Sequence, residues 1–233
     1  MMVRFMALAL VLAAASAKPS NVVFLLTDDL DLMLGGMKPL KKLHKLLTEQ
    51  GTTFENAFVH TPICCPSRST YLSGNYIHNH GAVNNSVDGN CAGAEWAKDH
   101  EKKTFAVYAE SAGYQTSYAG KYLNQYALPP SPDCPTRGAP GCCARAPPGW
   151  THFFGLVGNS QYYNYSVCAD KAEVFHGDVY ADDYFPDLVA NRTLAMIEKM
   201  YALLVVVVLV VLVVLVLLLV LLLVALVVMV LIC

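Results

Sequence analysis

From Ala202 to Ile232 the chain is built only of Leu, Val, Ala, Met and Ile, with no charge, no turn residue and no amphipathic period. A helix that is apolar on every side must be buried in protein or in lipid. About 20 apolar residues span a bilayer, and at about 1.5 Å per residue this run exceeds the ~30 Å hydrocarbon core and would have to tilt. The stretch before it reads as an ordinary soluble domain. Two readings of residues 202–232 stand open: a membrane span, or an aberrant low-complexity tail, because no Lys or Arg follows the run to fix an orientation. A lipid-anchor signal fits poorly, since Glu198-Lys199-Met200-Tyr201 supply neither the small-residue site nor the polar spacer.

The opposite end, "MMVRFMALALVLAAASAKPS", has a lone positive charge at Arg4, an apolar run from Phe5 to Ala15 and small residues at Ala15-Ser16-Ala17. This is the pattern of a secretory signal peptide over residues 1–17, cut after Ala17. The domain is then residues 18–200, folding in an oxidising compartment. The sequons at Asn84, Asn164 and Asn191 agree with that route as glycan sites. The 55% hydrophobic content and the mean hydropathy of +0.40 owe much to the two apolar ends. Over the whole chain, a balance of 16 Lys+Arg against 18 Asp+Glu argues against nucleic acid as a partner.

Cys64, Cys65, Cys91, Cys134, Cys142, Cys143 and Cys168 make an odd set before the tail. An odd cysteine in a secreted chain calls for an explanation. If one has a chemical role, the rest suffice for three bridges of undetermined connectivity. "NVVFLLT", Asn21 to Thr27, reads as a buried parallel strand ending in Asp28-Asp29. Ligand sites of open α/β sheets lie at that edge. Leu40, Leu43, Leu46 and Leu47 recur at helical spacing up to Gly51, and "TTFENAFVH" reads as an extended return segment. Thr104 to Ala112 is helical with Gly113 as its stop, and "QTSYAGKY" is the next strand with Lys121 at its end. Residues 129–149, dense in Pro, Gly and Cys, form a disulfide-tied loop. Tyr162 to Val167 is a further strand, and Asp187 to Met200 a helix. The alternation of strand and helix predicts an α/β sheet with helices on its faces.

Asp28-Asp29, the turn "CCPSR" over Cys64 to Arg68, and Lys121 converge on one sheet edge. Adjacent carboxylates suit a hard cation such as Ca²⁺ or Mg²⁺. A helix starting near Pro66 aims free N–H groups at an anion, and Arg68 and Lys121 add positive charge. Together these parts suit a tetrahedral oxyanion, and Cys64 stands where a nucleophile is needed.

These residues resemble the sulfatase family, whose signature Cys-x-Pro-Ser-Arg is met by Cys64, Cys65, Pro66, Ser67 and Arg68. "NVVFLLTDDLD", "CCPSRSTYLSGNYIHNHGAVNN", "GNC", "GYQTSYAGKYLNQY" and "YYNYS" extend the likeness to the branch of glucosamine-6-sulfatases and heparan sulfatases, from about Asn21 to Glu198. The resemblance implies the N-terminal portion of an alkaline-phosphatase-like α/β sandwich with a mostly parallel sheet, followed here by the apolar helix. It implies that Cys64 is oxidised to formylglycine by the formylglycine-generating enzyme and then also touches Ca²⁺. Asp28 and Asp29 become Ca²⁺ ligands, Arg68 holds the hydrated aldehyde, and Lys121 contacts the sulfate. One hydroxyl of the geminal diol attacks sulfur, and the second lets sulfate leave as the aldehyde re-forms. His78, His80 and Asn124 are candidate substrate contacts, with Tyr76 and Tyr122 nearby, and Cys65 is read as structural. Leu123 stands where many sulfatases have a histidine, which favours the glucosamine branch or weaker chemistry.

The implied partners are a sulfated glycosaminoglycan of heparan or keratan type, or another sulfate ester, and the membrane if the tail is a span. The implied location is lysosomal, extracellular, or anchored with a lumenal domain. The family's later Asp-Asn pair, lysine and histidine have no counterpart before the tail, so little or no turnover is expected of this truncated domain. A non-catalytic binder of sulfated glycans and a phosphate or phosphonate ester hydrolase are the alternatives.

Overall fold

The computed structural model describes residues 20–128, 142–143, 146–201 and 214. The signal-peptide reading of 1–17, the reading of 202–232 and most of the cysteine-rich loop fall outside these residues. Among those described, no helix is long and apolar enough to cross a membrane. The chain divides into two compact units, Met1–Phe54 and Glu55–Cys233.

In the first unit, helix α1 runs over Lys41–Leu43 and continues as a wider π turn over His44–Thr48. This matches the leucine spacing, and the ring of His44 contacts the Met37 carbonyl at 3.0 Å. The expected buried strand over 21–27 does not form: these residues are irregular and exposed, Val22 at 77% and Leu25 at 69%. A short apolar run is equally the mark of a strand and of an extended segment outside any ladder, and the described strands do not include this one. The segment 52–60 is likewise irregular and exposed, with no ladder.

The second unit holds the sheet, with strands β1 (Ser117–Gly120), β2 (His152–Leu156), β3 (Tyr165–Ala169) and β4 (Ala172–His176) in the order β1-β2-β3-β4. It is mixed rather than mostly parallel: β1 and β2 are parallel, and the other two pairs are antiparallel. The reason lies in the connections. Asp170 and Lys171 alone join β3 to β4, which permits a hairpin and excludes the long crossover that parallel neighbours need.

Helices flank the sheet: α2 (Cys64–Ser73), α3 (Ile77–His80), α4 (Ala94–Asp99), α5 (Phe105–Ser111), α6 (Tyr180–Asp183) and α7 over 185–201. Successive strand residues face opposite ways, and β2 uses this to build two cores. Phe153 joins Cys65, Leu72, Trp96, Tyr122 and Leu123 on one face. Phe154 and Leu156 join Tyr165, Val167 and Met196 of α7 on the other. Gly149 lies at φ +87, where a Cβ would come within 2.3 Å of the Val107 nitrogen, so only glycine lets the chain pass α5 here.

Two bridges brace the first core, Cys65–Cys91 and Cys143–Cys168, and Cys142 is also bonded. Among the described cysteines, Cys64 is free.

Candidate active site

Cys64 is the first residue of α2, after Ile63 in extended conformation (φ −132°, ψ 139°). Pro66 sits in the first turn, where a missing N–H costs no helical hydrogen bond. The first bond of the ladder runs from Ser67 N–H to the Ile63 carbonyl, 2.9 Å. Gly74, at φ 69°, closes the helix in the left-handed conformation that glycine adopts without strain.

Ile63 has no side chain able to cap this helix, and Asn85 does the work from another loop. Its Oδ1 accepts the Cys65 N–H at 2.8 Å. The same loop is fastened to α2 by the Cys65–Cys91 bridge and to the segment after β1 by the Val87 N–H donating to Gln125 Oε1 at 2.6 Å. Cys65 is thus held by both its backbone and its sulfur, and its neighbour Cys64 is left half-buried and unbonded.

Arg68 is buried one turn further on. Its Nη1 donates to the Lys121 carbonyl, and to the Tyr122 carbonyl at 3.3 Å. The Lys121 carbonyl also accepts the Tyr118 hydroxyl. Arg68 and Lys121, far apart in sequence, are therefore adjacent in the fold, and the guanidinium ties the cysteine helix to the end of β1. Lys121 is itself 9% exposed. Burial pushes the Tyr118 and Tyr122 phenols well above their ordinary range, so both stay neutral beside these cations.

The remaining candidates separate. His80 is 1% exposed and packs edge-on to Trp96 at 6.1 Å. Its Nδ1 accepts the Ala82 N–H at 3.1 Å, which puts the ring proton on Nε2, 3.0 Å from Thr70 Oγ1. Thr70 also meets His60 Nε2 at 3.0 Å and donates to the Pro66 carbonyl. Burial, then the nearby His100 and His60, hold His80 below the ordinary histidine value. His78 is exposed and stacks on Tyr76 at 5.8 Å. Asn124 is buried, its Nδ2 donating to Asn159 Oδ1 at 2.9 Å, while its own Oδ1 has no partner. Tyr122 is fully buried. Asp28 and Asp29 belong to the first unit, both exposed at a bend, Asp29 at φ 52°. Their hard oxygen donors fit Ca²⁺.

Sequence reasoning missed Asn85, Gln125 and Thr70. Asn85 is masked in the sequence by the sequon that begins one residue earlier, and a cap supplied from a different loop leaves no local spacing to read.

A family model described as Sulfatase matches residues 20–194. The N-acetylglucosamine-6-sulfatase of Homo sapiens is 44% identical over 79% of this chain and 32% of the relative. An extracellular sulfatase SULF-1 homolog of Drosophila melanogaster is 39% identical over 79% of this chain and 15% of the relative. An arylsulfatase of Volvox carteri is 30% identical over 83% and 28%. The chain thus spans about a third of the length of the N-acetylglucosamine-6-sulfatases it matches, and less of the others. No solved structure matches it. The matched span contains α2, Arg68 and Lys121, and on these grounds the chain belongs to the sulfatase family.

Proposed function

We propose that this chain carries the nucleophile-bearing part of a sulfuric ester hydrolase whose substrate is a 6-O-sulfated glucosamine of a heparan- or keratan-type glycosaminoglycan. The observation that carries the reading is the seating of Cys64: the one free thiol among the described cysteines begins the helix whose Arg68 is tied to the Lys121 segment. A structural cysteine in an oxidising compartment would be bridged, as Cys65 is.

In this reading Cys64 is converted to formylglycine, whose hydrated aldehyde supplies the hydroxyl that attacks sulfur. Asp28, Asp29 and the converted residue 64 hold Ca²⁺, which contributes charge neutralisation at the sulfate. Arg68 holds the aldehyde hydrate and fixes the Lys121 backbone, and Lys121 provides a cation for a sulfate oxygen. His78, His80 and Asn124 remain proposed substrate contacts. His78 has the exposure a direct contact needs, whereas His80 and Asn124 would act from beneath the surface. The protein passes through the secretory pathway to a lysosomal or extracellular site, or is held at the membrane with a lumenal domain if residues 202–232 are a span rather than an aberrant tail.

The test is hydrolysis of an aryl sulfate by the chain secreted from cells that make formylglycine. The expected result is formylglycine at residue 64 with little or no turnover, since the proposed ligands number fewer oxygens than Ca²⁺ takes. Turnover abolished by Cys64→Ala would overturn the expectation of inactivity and leave the family chemistry standing. An unmodified thiol at residue 64 would favour the non-catalytic binder of sulfated glycans.

A further inference from the structure

The sheet face that carries Phe153, Gly155 and Cys168 is packed into the first core. Strand alternation and register put Ser166, Phe175 and Glu173 on that same face, toward the outer strand β4. There the cover ends, and Phe175 is 67% exposed. With Leu128 and Val157 these residues line a cleft of about 420 Å³, within the size range of small-molecule sites. Its wall also carries Asn164, which with Ser166 forms the acceptor pair of a sequon. Asn164 is exposed, in the left-handed conformation at φ 53°, with its N–H donated to the Gly177 carbonyl at 2.7 Å.

We propose that this cleft seats the first sugar of a glycan attached to Asn164. Attachment joins Asn164 Nδ2 to C1 of the reducing-end sugar of a lipid-diphosphate-linked oligosaccharide. The C1–oxygen bond to the diphosphate breaks, the diphosphate leaves with that electron pair, and Nδ2 gives up one proton. A pyranose has an apolar C–H face that matches the open ring of Phe175 and the side chains of Leu128 and Val157. Its hydroxyl and acetamido edges meet Glu173, Gln161 and Asn159 at the rim. The occupant follows from the attachment point, because the bond forms on the wall of the cleft and the first ring cannot lie far from it. The sugar removes from water an exposed aromatic surface that no described segment covers.

The other sequons lack this setting. Asn84 turns its Oδ1 back to the Ser86 N–H and hydroxyl, both at 2.8 Å, and Asn191 lies within α7. The proposal is independent of sulfate ester hydrolysis.

The experiment uses the full chain secreted from mammalian cells, with site-resolved glycopeptide mass spectrometry during digestion by a peptide N-glycosidase. The Asn164 glycan is expected to be released about tenfold more slowly from native than from denatured protein, equivalent to about 1.4 kcal/mol of protection. Phe175→Ala should remove most of that difference, and Phe175→Tyr, which keeps the aromatic face, should restore it. Ser166→Ala, which deletes the sequon but keeps the Asn164 backbone, should leave residue 164 unglycosylated and the cleft residues more open to hydrogen exchange. An unoccupied Asn164 in the parent chain, equal native and denatured release, or protection unchanged by Phe175→Ala would each overturn the proposal.

Discussion

At the scale of single residues, the site is governed by how α2 begins. The cap is Asn85, so Asn85→Ala should cost about 1 kcal/mol in urea unfolding, while Asn85→Asp, which keeps an acceptor and adds charge favoured at a helix N-terminus, should recover most of it. Equal losses for both variants would mean that the contact does not cap the helix. Among the described residues, His80 makes stability depend on pH on the acid side of neutrality. Its folded value lies below 6.5 because burial, His100 and His60 all disfavour the charged form. The unfolded chain therefore binds the proton more readily, so the contribution is fully present above pH 6.5 and is lost as pH falls below it. Protonation would also turn Nδ1 from the acceptor of the Ala82 N–H into a donor. Urea midpoints should drop between pH 7.5 and pH 5, and His80→Gln should flatten that drop; an unchanged slope would exclude His80 as its source.

At the scale of elements, what could be read from sequence and what could not divide along the need for partners. Helices announce themselves locally, so α5 begins at its Thr104 cap and ends before Gly113, as the pattern over 104–113 predicts. The strand before Lys121 is equally legible, because "QTSYAGKY" sets Tyr118, a strand-favouring aromatic, just before the Gly120 end. The segment 21–27 is not, since its apolar run says nothing about which strand, if any, lies beside it. Sheet direction is fixed by connection length, and the two residues between β3 and β4 made that pair antiparallel where family resemblance implied a mostly parallel sheet. For the candidate site, motif spacing picked out Cys64, Arg68 and Lys121, whereas the loop that braces them is visible only in three dimensions. Removing its bridge with Cys65→Ala and Cys91→Ala together should cost about 3 kcal/mol, given the separation of 26 residues. At the other end of the first core, Gly149→Ala should destabilise by at least ~2 kcal/mol, because it combines a left-handed backbone with a collision against α5. Thermal melts of both variants check these values, and a Gly149→Ala melt equal to the parent would contradict the close approach.

At the scale of the whole molecule, the second unit is a small mixed sheet with a core on each face, and its bridges stiffen the face that bears α2. That arrangement isolates one thiol from every bridge among the described residues and sets it at a helix start. Family membership and this isolation point to the same residue by independent routes, one through sequence likeness and one through disulfide pairing. The measurement that tests the account most directly is mass spectrometry of the peptide containing residue 64, taken from the chain secreted by cells that make formylglycine. The account predicts an aldehyde at residue 64, captured by a hydrazide probe and absent in Cys64→Ala, with Cys65 and Cys91 recovered as a linked pair. A thiol at residue 64 in all of the secreted protein, or a bridge from Cys64 to another cysteine, would contradict it.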